Sequence, residues 1–156
     1  MEGIKLSETQ KQLIEKLGVV YEGSGMQPAP ARVLSLLLVA DKIEITFDEI
    51  YQTLGISKSA ASNAINLLLT TGKIEYITIT GDRKRYFRSR ITNWREEMRN
   101  SLKGLLHVSH LYEEVLQQRP KTTKQFNASL KEVIDFTEFL HGEVDTIFAK
   151  WEAKKK

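Results

Sequence analysis

The stretch LGISKSAASNAINLLLTTG, residues 54–72, decides the fold. Gly55 can adopt positive φ without steric cost, as a sharp turn between two helices requires. Ser57 then offers a side-chain oxygen to a free backbone N–H and so opens the next helix. Ile56, Ala61, Ile65 and Leu68 recur at spacings near four and three and trace one buried face. Gly72 stops the helix. The opposite side of the wheel carries Ser57, Lys58, Ser59, Ser62, Asn63 and Asn66, with Ala60 nearby. The first two turns therefore hold little bulk apart from Ile65. Either that end meets something that must approach closely, or it is an exposed helix with weak packing.

The flanking sequence narrows the choice. Thr46-Phe47-Asp48-Glu49 has the Thr-x-x-Glu form of a capping box and starts a helix that carries Ile50 and Leu54 and ends at Gly55. Before it, residues 31–40 predict a short helix, apolar all round and hence covered on most sides. EGSGMQPAP, residues 22–30, reads as a loop marked by glycine and proline. Ser7-Glu8-Thr9-Gln10 is a second capping box, followed by Leu13, Leu17 and Val20 or Tyr21 at helical spacing. After Gly72, KIEYITIT predicts a strand, GDRKR a turn and YFRSR a returning strand. The apolar alternation shifts phase between Tyr76 and Ile77, which predicts a bulge or a strand covered on both sides.

From Thr92 the pattern is helical to the end, apart from a break at QRPKTT. Trp94, Met98, Leu102, Leu105 and Tyr112 line one long helix. In the last helix Phe126, Leu130, Val133, Thr137, Leu140, Val144, Ile147 and Trp151 alternate steps of four and three, a coiled-coil-like seam. Ile134, Phe136, Phe139 and Phe148 widen that face beyond the needs of a two-helix contact. Packing within one chain is one reading of it. With only one small globular unit available to cover the face, dimerisation is the reading preferred, with Leu130, Val133, Leu140, Val144, Ile147 and Trp151 at the interface.

Composition excludes several functions. The 156 residues suffice for one domain, or a domain with a helical arm. Cysteine is absent, which excludes disulfides and thiolate metal sites and fits a reducing cytosol. The polar N-terminal stretch predicts no secretory leader. The longest apolar run, VLSLLLVA, is far short of the roughly 20 residues that span a bilayer. No phosphate-cradling glycine loop and no motif-placed Ser/His/Asp set is present, so no enzyme and no cofactor are expected. Charge is unevenly placed: residues 54–90 carry seven basic and two acidic side chains, against five and eight in residues 1–53 and eleven and ten in residues 91–156. A local basic block in a chain of net charge +3 points to an anionic partner met at one place.

Helix, helix, turn, helix, strand, basic turn, strand is the order of a winged helix-turn-helix. The predicted fold is mainly α with a small β-hairpin wing, an α+β winged helix-turn-helix with a helical dimerisation arm. The front half of a recognition helix enters the major groove of double-stranded DNA. Serines and the helix N-terminus can donate to phosphates, with Lys58 beside them. Asn63 and Asn66 suit the edge of adenine, and Ala60 a thymine methyl. Arg83, Lys84 and Arg85 at the wing tip reach along the backbone or into the minor groove. Arg88 and Arg90 would extend that footprint.

GISKSAASNAINLLLTTGKIEYI followed by GDRKRYF resembles the MarR superfamily of winged-helix regulators. GMQPAPARVLSLLLVAD before it is similar to the GbsR-like branch. The resemblance covers about residues 20–90. It implies a homodimeric cytoplasmic repressor on a palindromic operator. The N-terminal helix, residues 1–25 with Leu13 and Leu17, would join the interface. Residues 26–91 would bind DNA, and the helical region 92–156 would dimerise. It also implies control by a small-molecule effector, in some GbsR-like members a choline-type quaternary ammonium compound, which would need an aromatic cage. Tyr21, Trp94, Tyr112, Phe126 and Trp151 are available, but nothing in the sequence converges them. Two other readings stand beside this one. His107, His110 and Glu114 on one helix, with His141 on the next, would suit a metal-responsive regulator. A winged helix used only for protein contacts would not need its basic tip and polar helix face on one side.

Overall fold

The structure is a computed structural model that describes residues 3–154. Met1, Glu2 and the last two residues of the terminal Ala-Lys-Lys-Lys lie outside the described residues. The chain forms two compact units, residues 1–92 and 93–156.

The first unit is built around helix α2, Pro28–Val39, whose Val33 and Leu36 are fully buried. The sequence placed residues 22–30 in a loop; the helix instead starts at Pro28, with Pro30 also in its first turn. Proline lacks only an N–H that the first turn cannot pair in any case, so it opens a helix as readily as it ends one. Helix α1, Glu8–Gly23, packs along α2 behind a complete Ser7–Gln10 capping box. Arg32 of α2 bonds both Glu15 and Glu22 of α1. Gly18 lies under that arginine, where a Cβ would meet its Cδ at 2.7 Å.

Strand β1, Ile45–Thr46, leads into helix α3, Phe47–Leu54, through the Thr46–Glu49 capping box. Burial pushes the Glu49 carboxyl up, but Lys42 and the Thr46 amide and hydroxyl together hold it below its ordinary value. Helix α4, Lys58–Thr70, follows the turn. Strands β2, Ile74–Ile77, and β3, Tyr86–Ser89, form the wing. The antiparallel sheet runs β1-β3-β2. Pairing is regular from Ile74↔Ser89 to Ile77↔Tyr86, so no bulge interrupts those strands. The phase shift marks cover on both sides: Ile74 is buried on one face, while Ile77 on the other is half-buried. β1 went unread because two residues carry no alternation; they are a strand only through their pairing with β3.

The second unit is a helical hairpin. A short 3-10 turn, Ile91–Asn93, precedes α5, Trp94–Gln118, and α6, Lys124–Ala153, returns along it. Ile134, Val144 and Phe148 are its buried hydrophobic residues. The sequence put Ile134 and Phe148 beside the seam and Val133 and Ile147 on it. In the structure Val144 is buried as placed, but at two other positions the cover falls one residue further on, at Ile134 and Phe148. The reason is physical: α6 first covers α5 of its own chain, with Trp94 against Phe148 at 6.2 Å and against Trp151 at 5.2 Å. Val133 and Ile147 are left exposed, Leu130, Leu140 and Trp151 half-buried. Of the line the sequence placed on α5, Trp94, Met98, Leu105 and Tyr112 are exposed as well, and Leu102 is half-buried.

Candidate nucleic-acid interface

Gly55 adopts φ +62°, the left-handed conformation that lets α3 stop and α4 start within three residues. The Ser57 hydroxyl accepts from the Ala60 N–H at 3.1 Å and lies 3.0 Å from the Ser59 hydroxyl. Ala61, Ala64, Ile65 and Leu68 are buried and pin one side of α4 to the core. That fixes what the other side shows. Lys58, Ser59, Asn63 and Asn66 are exposed, as is Ser57 at the cap; Ala60 and Ser62 are half-buried at the edge. The exposed face is short, polar and uncharged apart from Lys58, next to the positive end of the helix dipole.

The wing tip has its own framework. Gly81 turns at φ +87°. The Asp82 carboxylate accepts from the Tyr86 hydroxyl at 2.6 Å and from the Lys84 N–H at 2.9 Å. Tyr86 first, and the Lys84 amide second, hold that carboxyl below its ordinary range; the same contact raises the Tyr86 phenol. Arg83, Lys84 and Arg85 are exposed, and among the described residues neither they nor Lys58 form a side-chain ion pair. Arg88 differs. It is half-buried and bonded to Glu75 and, at 3.5 Å, to Glu44, so its charge already has two carboxylate partners. The Arg90 N–H donates to the Lys73 carbonyl at 3.2 Å.

Three aromatic side chains that organise these cations were not singled out by sequence. Phe47 and Tyr51 lie behind Arg85 and Lys58, and Tyr86 braces the tip. A Tyr four residues after Asp in a turn is a usable signal only once the turn is known, and no periodicity marks the other two.

Elsewhere the candidate residues converge only in part: Tyr112 and Phe126 line one groove of the hairpin with Arg119. Leu13 is exposed and Leu17 half-buried on α1. Among the aromatics considered for an ammonium cage, Trp94 and Trp151 meet, but Arg95 already lies over both rings, at 5.6 and 5.0 Å. Arg119 lies 4.0 Å from the Phe126 ring, and Tyr21 belongs to the other unit. His107, His110, Glu114 and His141 are exposed, and no group of three or more His, Asp or Glu side chains able to hold a metal ion occurs among the described residues. No helix among them is long and apolar enough to cross a membrane.

The chain is similar to an HTH-type transcriptional regulator, MmpR5, of Mycobacterium tuberculosis (strain ATCC 25618 / H37Rv). The two are 23% identical over 140 residues, which cover 90% of this chain and 85% of the relative. A crystal structure described as a transcriptional regulator superposes with a TM-score of 0.76 at 22% identity, covering 93% of this chain and 99% of that one. At that identity the likeness speaks for the fold. The model of the MarR family matches residues 24–85, which hold α2, the helix-turn-helix and the wing as far as Arg85. Over those residues the chain is similar to the MarR family, and they fold as a winged helix-turn-helix.

Proposed function

We propose that this chain is a sequence-specific, DNA-binding transcriptional regulator. It acts in the cytoplasm as a homodimeric repressor on a palindromic operator. The observation that carries the reading is the pairing, on one unit, of a short polar helix face with a wing tip whose cations are uncompensated. Ser57, Lys58, Ser59, Ala60, Ser62, Asn63 and Asn66 enter the major groove, with the asparagines on base edges and Lys58 on phosphate. Arg83, Lys84 and Arg85 follow the backbone or the minor groove. A relative that is an HTH-type transcriptional regulator supports the same reading.

Dimerisation is supported by what the hairpin leaves uncovered. Phe136 and Phe139 are 64% and 66% exposed, and Val133 and Ile147 extend the strip. Two half-sites about one helical turn apart would then be met by two wings. A small effector, and with it the GbsR-like assignment, belongs to the same proposal; the arginines over Trp94, Trp151 and Phe126 argue against a ready-made ammonium cage at those rings.

The test is a mobility shift on fragments selected by binding from the source genome, at two salt concentrations. Tight binding that falls steeply with salt is expected. Weak binding with no salt dependence would sink the reading in favour of a protein-interaction module.

A further inference from the structure

One pair of rings lies behind two of the uncompensated cations. Phe47 and Tyr51, one turn apart on α3, have centroids 5.6 Å apart with planes tilted by 53°. Arg85 Cζ lies 5.0 Å from the Phe47 centroid, and Lys58 Nζ lies 5.3 Å from the Tyr51 centroid. Phe47 also donates its N–H to the Arg85 carbonyl at 3.1 Å, so Arg85 is held at backbone and guanidinium by one residue. The series Arg85, Phe47, Tyr51, Lys58 thus joins the wing to the start of α4 through the helix behind them.

The kind of contact matters. A carboxylate would order a long cationic side chain by cancelling its charge, as Glu75 and Glu44 do for Arg88. A ring orders it and leaves the full charge for a second partner on its open side. Ordering entropy is then lost on folding and not on binding. The partner that suits two such cations on a common face is a pair of phosphates.

We propose that Phe47 and Tyr51 are positioning residues that set Arg85 and Lys58 as a single phosphate clamp spanning wing and recognition helix; this rests on the DNA-binding reading above. The probe is a labelled mixed-sequence duplex of about 30 base pairs, long enough for two half-sites. Its affinity for the full chain is measured by anisotropy across a salt series. Tyr51→Leu is expected to weaken binding about fivefold and to reduce the slope of log K against log salt by up to about one. Tyr51→Phe keeps the ring and should bind within about twofold of wild type. In a Lys58→Ala background Tyr51→Leu should cost nothing further, a coupling that a merely structural tyrosine would not give. Phe47→Leu with Arg85→Ala forms a second cycle with the same expectation, and it decides the matter if circular dichroism shows Tyr51→Leu unfolded. Additive losses in the cycle, or a Tyr51→Phe chain as weak as Tyr51→Leu, overturn the clamp while wild-type binding stands. A wild type that does not hold the duplex at low salt removes the DNA reading and the clamp together.

Discussion

The two units solve the problem of burial differently. In the first, residues from all four helices and all three strands close on one core: Leu36, Ile45, Ile50 and Ile74 are at most 2% exposed. In the second, among the described residues, two long helices bury three hydrophobic side chains and the hydroxyl of Ser109, which finds no hydrogen-bond partner there. Leu111 and Val115 on α5, with Phe136 and Phe139 on α6, stay exposed. A helix pair has too little interior to cover broad apolar faces, and contiguous exposed patches mark surfaces that meet something. The first unit therefore closes a core of its own, and its surface pairs the polar face of α4 and the basic tip with exposed Val19 and Val20 on α1. The second has hydrophobic groups as its unexplained surface.

The sharpest way to break that contrast is to truncate one side chain in each unit. Leu36→Ala, at a fully buried site, should cost about 2–5 kcal/mol in urea unfolding. Phe139→Asp should leave the fold of each chain intact by circular dichroism. It should yield monomers by light scattering and lower affinity for a palindromic duplex about a hundredfold, since each half-site then binds alone. Leu140→Asp is a poorer probe, because Leu140 also lines the groove between α5 and α6 of its own chain. A monomeric wild type, or an unfolding midpoint independent of protein concentration, would show that the hairpin is complete without a second copy.

The same contrast explains what was legible. The capping boxes at Ser7 and Thr46, the turn at Gly55 and the stop at Gly72 are local chemistry, and all appear where the residues put them. Strand β1 exists only because β3 lies beside it. The start of α2 was misplaced because proline permits two local answers. In α6 the four-three spacing is readable, but its phase is not. Val144 is covered as placed, but whether Val133 or Ile134, and Ile147 or Phe148, lies inside is decided only by the position of α5. In the candidate site the polar face of α4 is a matter of helical phase, since its buried side is plain. The rings behind Lys58 and Arg85 depend on how α3 meets the wing, which no spacing encodes.

Within the first unit, the surface itself can be divided. Asn63→Ala should cost on the order of 1–3 kcal/mol on the selected operator and little on random duplex. Arg83→Ala should weaken both about equally and flatten the salt slope by about one. Equal behaviour of the two variants on both duplexes would erase the distinction between a base-reading helix and a backbone-following wing.

The smallest effect concerns how firmly that wing is held. Tyr86→Phe removes the donor to Asp82 without changing charge, so the basic tip stays basic but loses one tether. Exchange of the Lys84 amide should quicken by about two- to threefold, and duplex affinity should fall less than twofold. The contact also has a defined pH window. Asp82 has its pKa lowered from an ordinary 3.8, so its contribution is complete above that value and disappears as pH falls through the lowered one. Tyr86 is raised from 10.0, so its contribution is complete below 10.0 and disappears as pH rises through the raised value. The difference between wild type and Tyr86→Phe should therefore be flat from about pH 6 to 8 and vanish in acid, once Asp82 takes up a proton. If Lys84 exchanges equally fast in both chains at neutral pH, the tip is ordered by Gly81 and the strand pairing alone. The Asp82–Tyr86 contact is then an accessory of the hairpin and not its brace.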